Sequence, residues 1–156
     1  MKRILALLAI ATAGMAVSVS AAQAEVVTNE TVSYAWSGFV PCANGGTGEL
    51  LTGTIDVHNL ITSTVNGNVD TWRFQFQPHG SLVGSITGDT YELTGVTRGT
   101  YNDIVHSGEY TLTYVSSYQL IGPGPENNLN VREVAHVTSD GDDVIVRHDD
   151  FSIECK

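Results

Sequence analysis

The sequence predicts an all-β domain: a single antiparallel meander of seven to eight strands that curls into a closed or nearly closed barrel, with a β-sandwich as the alternative. Three observations lead there. After residue 25 no stretch sustains a helical period beyond a turn or two. The chain is rich in Thr, Val, Tyr and Ile, the types that suit a pleated surface. Glycine-containing breaks recur at about ten-residue intervals, the spacing of consecutive hairpins.

Residues 1–24, MKRILALLAIATAGMAVSVSAAQA, read as a secretory signal. Lys2 and Arg3 supply the positive leader, Ile4 to Ala13 the apolar run, and Ala22-Gln23-Ala24 the small-x-small site that places cleavage before Glu25. The apolar run is short for a bilayer and no stop-transfer charges follow, so no membrane span is expected. The expected product is a secreted chain, 25–156, forming one β-barrel-like domain outside the cytoplasm. Two of the seven basic residues leave with the signal and all seventeen acids remain, a formal charge of −12. That balance favours solubility and repels nucleic acid and anionic membrane, which excludes a nucleic-acid partner.

Strands are expected near 31–40, 48–64, 69–78, 90–101, 108–121, 129–139 and 143–154, with a shorter one at 81–87. Alternation assigns their faces. In VDTWRFQFQP, Trp72, Phe74 and Phe76 share one side against Arg73, Gln75 and Gln77. In GEYTLTYVSSYQLI, Tyr110, Leu112, Tyr114, Tyr118 and Leu120 share one side and their neighbours are mostly polar. Tyr91 and Leu93 likewise oppose Glu92 and Thr94. Asn66-Gly67-Asn68 and Ser139-Asp140-Gly141-Asp142 have the composition of hairpin turns. IGPGPENN, at 121–128, joins two strands; its prolines cannot continue a ladder, and no helix or Lys-Ser/Thr step follows to make a phosphate loop. It reads as a bend that can also border a pocket mouth.

Cys42 and Cys155 are the two cysteines, and in an oxidising compartment they most simply form one structural disulfide; a redox pair would show Cys-x-x-Cys. The five histidines lack the local spacing of a zinc motif, although Asp56 and His58 share a face. RHDDF, at 147–151, places His148 and Asp150 on one side, the minimum for a general base with an orienting carboxylate, but no Gly-x-Ser-x-Gly elbow accompanies it. Asp140, Asp142 and Asp143 surround a glycine without the longer loop of an EF-hand. No catalytic residue, metal ligand or cofactor is therefore assigned.

The blocks GELLTGTIDVHNLI, TGDTYELTGVT, LIGPGPENNLNVREVAHVT and DDFSIEC resemble a family of small secreted bacterial β-proteins generally described as uncharacterised. The resemblance runs from Cys42 to Cys155, is most specific at TGD-x-Y and the Gly-Pro-Gly link with its Asn pair, and implies no activity. The Gly-x-Trp signature of lipocalins is absent, since Trp36 stands in YAWSGF.

The function expected is thus a non-enzymatic module that binds a small apolar or aromatic ligand through Trp72, Tyr110, Tyr114 and Tyr118, whose rings carry polar tips. The alternatives are an extracellular interaction or structural protein with a solid core and, third, a hydrolase or metal-dependent enzyme. Intact-mass spectrometry of the secreted protein checks the covalent reading: a chain starting near Glu25 that gains two hydrogens on reduction is expected, and two free thiols before reduction would refute the bridge.

Overall fold

The computed structural model describes residues 24–156 except Pro125, and only the backbone of Val146 and Arg147. The signal expected at 1–24 thus lies, Ala24 apart, outside the described residues. Seven strands follow one another: β1 Glu25–Val40, β2 Glu49–Asn66, β3 Val69–Gly84, β4 Thr90–Ile104, β5 Glu109–Ile121, β6 Leu129–Asp140 and β7 Val144–Cys155. They form one sheet in sequence order, every neighbour pair antiparallel. The hydrogen-bonded ladder ends at β1 and β7, so hydrogen bonding does not close the sheet into a barrel.

Two boundaries differ from the sequence expectation. β1 begins at Glu25 rather than near 31, because the long β2 offers partners as far as Ser63. The segment 81–87 is not a separate strand: β3 continues through Pro78 to Gly84, and 85–87 turn toward β4. Proline lacks the donor that an interior strand needs. It is tolerated here because the β3–β4 pairing is interrupted between Phe76↔Thr97 and His79↔Thr94, where the missing N–H falls. The hairpin tips follow expectation, with Gly67 at φ 64° between β2 and β3, where a side chain would be strained.

Register carries one set of side chains across the sheet. Tyr34 faces Ile55, Ile61 faces Phe74, Trp72 faces Tyr101, Gly99 faces Tyr114, and Tyr118 faces Val131. Residues of this face from β1, β2 and β3 and from β5 and β6 line one cavity, so the sheet curls toward it. Gly95 allows part of that curl: a Cβ there would run into the Tyr118 ring and the Ser117 carbonyl. Trp72, Phe74 and Phe76 lie on this face as their spacing predicts, yet all three are half-buried, because no second layer covers them.

The solid core occupies one end of the curl. Val40, Ala43, Leu51, Leu82, Tyr91 and Leu120 are buried together there, with Trp36, Ile55, Leu93 and Leu129 packed against them. The Cys42–Cys155 disulfide lies at the same end, with Cα atoms 5.3 Å apart and a sequence separation of 113. It joins the last residue of β7 to the residue two beyond β1. The IGPGPENN link completes this end. The Asn127 side chain accepts from Gly45 N–H at 2.7 Å and donates to the Pro123 carbonyl. Asn128 accepts from Gly122 N–H through its side chain and exchanges two backbone hydrogen bonds with Lys156.

In the chain-entropy account, a cross-link spanning a loop of this length stabilises by about 4–5 kcal/mol. Replacing both cysteines by serine should lower the melting temperature by on the order of 15 °C, read by circular dichroism, with the β-spectrum retained below the transition.

Candidate functional site

The concave face holds a cavity of about 780 Å³ above the solid core. β1 contributes Tyr34 and Trp36, β2 Ile55 and Val57, and β3 Phe76 and Pro78. The opposite wall is Leu93 of β4, Tyr118 and Leu120 of β5, and Leu129 and Val131 of β6. The size and apolar lining suit a small organic molecule. Polar groups sit among these side chains at few places, notably Glu30 and Asn59, which oppose each other across β1 and β2.

The end wall beside this cavity contains a buried charge. Glu49, 1% exposed, opens β2. Its carboxylate accepts hydrogen bonds from the Ile86 and Thr87 amides at 2.9 and 3.1 Å, the Thr87 hydroxyl at 2.8 Å and the Tyr91 hydroxyl at 3.1 Å. Tyr91 in turn accepts from Asn44 N–H at 3.1 Å. Burial alone would raise the Glu49 pKa, but these four donors together hold it below the ordinary value. Tyr91 moves the other way: burial, then the neighbouring Glu49 carboxylate, favour its neutral phenol. The network ties the β1–β2 turn to the β3–β4 turn and seals the narrow end with a satisfied charge.

The four sequence-predicted ligand residues lie on the concave face but do different work. Tyr118 lines the cavity, and its hydroxyl bonds to Thr97, which pairs with Ser116 at 2.9 Å. Tyr114 donates to Glu133 at 2.5 Å. Tyr110 packs its ring against Tyr101, centroids 5.4 Å apart, and Trp72 lies opposite Tyr101 toward the wide end of the sheet. This cavity is therefore bordered by Tyr118 but not by Trp72, Tyr110 or Tyr114. It is bordered instead by Trp36, Tyr34 and Phe76, with the alternate residues 55, 57, 59 and 61 of β2. The alternation in GTIDVHNLI carried the β2 signal; what it lacked was the depth at which each position sits in the curl.

Other candidate groups are engaged elsewhere. His58 contacts Asn29 and Gln77, His136 contacts Thr113 at 2.6 Å, and His79 rather than His58 approaches Asp56, at 4.0 Å. The Asp140 carboxylate caps the Asp142 and Asp143 amides of its own turn, and the Asp143 amide chiefly lowers its pKa. Among the described residues no group of three His, Cys, Asp or Glu side chains is placed to hold a metal ion, and no helix is long and apolar enough to cross a membrane. No family model, curated protein or solved structure matches the chain.

Glu49 and Tyr114 give pH predictions. Glu49 has a depressed pKa, so its stabilisation is present above the unfolded carboxylate value and is lost as pH falls through the folded one. Acid denaturation should therefore steepen below about pH 4.5. Glu49→Ala should cost about 2–3 kcal/mol at neutral pH, from stranded donors, and flatten that acid dependence in urea titrations. Tyr114 is pushed up to about 12, first by its hydrogen bond to Glu133 and then by burial. Its contribution holds below the unfolded phenol value and is lost as pH rises toward 12. Burial also holds Tyr91 and Tyr101 above the ordinary phenol value, so ultraviolet titration should show several late-ionising tyrosines, one of which Glu133→Gln moves toward about 10.

Proposed function

We propose that the protein is a secreted, non-enzymatic binding module, a barrel-like curl closed at one end by its disulfide, that takes a small apolar or aromatic ligand on its concave face. The observation that carries this reading is the cavity: about 780 Å³, walled by aliphatic and aromatic side chains from β1 to β6 and floored by a core that is already complete without it. Packed interiors leave few voids larger than a water molecule, so a concavity of this size within an apolar face is the signature of a site rather than of a core. The signal-like leader and the disulfide both favour an extracytoplasmic setting.

A second reading, an extracellular protein that grips another protein, draws support from the sheet edges. β7 carries exposed Val144, Ile145, Phe151 and Ile153, and β1 carries exposed Val26 and Val27. Unpaired edges of this kind add a partner's strand readily. The Arg, His and two Asp residues at 147–150 interrupt the apolar run of β7. The edge is therefore less inviting than the cavity.

Trp36 is the natural reporter. In a Trp72→Phe background, small aromatic and apolar compounds should quench or shift its fluorescence saturably. Val57→Phe with Val131→Phe should fill the space and weaken that response about tenfold or more, with melting temperature preserved. A flat response across the panel would end the binding-module reading and leave the edge-docking one.

A further inference from the structure

The polar side chains of the cavity define the chemistry of its occupant more narrowly than its size does. Glu30, exposed at the rim, contributes a carboxylate to the lining, and among the described residues the lining contains no Lys, Arg or His. Glu30 lies directly across the β1–β2 ladder from Asn59. Among the described residues neither side chain takes part in a hydrogen bond or ion pair, whereas Glu49 and Glu133 are both engaged. Phe76 lies directly across the β2–β3 ladder from Asn59, so Glu30, Asn59 and Phe76 form one row across three strands.

We propose that the concave site takes a hydrophobic amine, its apolar body against Phe76, Val57 and Ile61 and its protonated nitrogen held between the Glu30 carboxylate and the Asn59 side-chain carbonyl. The proposal deepens the binding-module reading and rests on it. A free carboxylate in the same cross-strand row as an aromatic ring is chemistry that recognises an organic cation: the ions attract, the electron-rich ring face attracts as well, and an ammonium supplies donors that both oxygens accept. An anionic ligand of the same shape would meet Glu30 with no cation in the wall to offset it. A neutral one would gain the apolar contacts and leave the carboxylate unused. The field of the secreted chain points the same way, since seventeen acids against five bases draw cations toward the mouth, an attraction that salt weakens.

Titration calorimetry on the mature protein with three naphthalene probes tests this: 2-naphthylmethylamine, 2-naphthylmethanol and 2-naphthoate, at low and high salt. The amine should bind about tenfold more tightly than the alcohol, and the carboxylate more weakly than either. Glu30→Gln should bring the amine down to the alcohol's affinity while leaving the alcohol's affinity unchanged. Glu92→Gln, an exposed change on the opposite face of β4, controls for net charge and should leave the amine preference in place. Equal binding of amine and alcohol to the unmodified protein, or an amine preference that survives Glu30→Gln, would overturn the amine assignment and leave the apolar cavity standing. Absence of binding by all three probes would overturn both.

Discussion

The structure depends on one covalent constraint, the bond between the C-terminal ends of its two edge strands. A meander with an odd number of strands brings its first and last strands into parallel alignment. β1 and β7 therefore run in the same direction, with Cys42 and Cys155 at matching ends. The disulfide draws those ends to a Cα separation of 5.3 Å, close to the spacing of paired strands. No hydrogen-bonded ladder extends from it along the two edges. The sheet is thus pinned at one end and free at the other, and a sheet pinned in that way must curl.

The curl then needs a floor, and the floor combines apolar packing with a charge that is fully satisfied. An isolated buried carboxylate would be costly, and a truncated partner set would leave it so. Glu49 avoids this by collecting four donors from the β3–β4 turn and Tyr91, and Tyr91 passes the connection to Asn44 beside the disulfide. The Asn127–Asn128 pair performs the same service for the β5–β6 link, tying it to Gly45 and Lys156. All four tethers converge on the narrow end. Rigidity at that end is what allows the remainder of the concave face to stay unfilled without collapsing.

Much of this was legible in the sequence, for physical reasons that differ between elements. Strand alternation is local, so the shared face of Trp72, Phe74 and Phe76 and that of Tyr110, Tyr114 and Tyr118 could be read residue by residue. Turn composition is local too, hence the hairpin tips at Gly67 and Gly141. The continuity of β3 through Pro78 was not legible, because it depends on a gap in pairing with a neighbouring strand. Nor was the cavity wall. Tyr114 and Tyr118 have the same parity four residues apart, yet one reaches Glu133 and the other the cavity; the difference is set by curvature, which is a property of the whole sheet. The bend IGPGPENN was recognisable as a bend, while the use of its asparagines as fasteners needed the third dimension.

In the proposed binding module, affinity depends on the covalent pin, so the most direct measurement compares affinity with the pin present and absent. A fluorescent naphthylamine would be titrated into the unmodified protein and into the Cys42→Ser/Cys155→Ser variant, at a temperature where both keep the same far-ultraviolet β-spectrum. The account predicts saturable binding to the first and a loss of about tenfold or more in the second, because the concave walls lose their fixed separation. Equal affinity in the two proteins would contradict it, and would mean that the curl and its cavity are set by the strands alone.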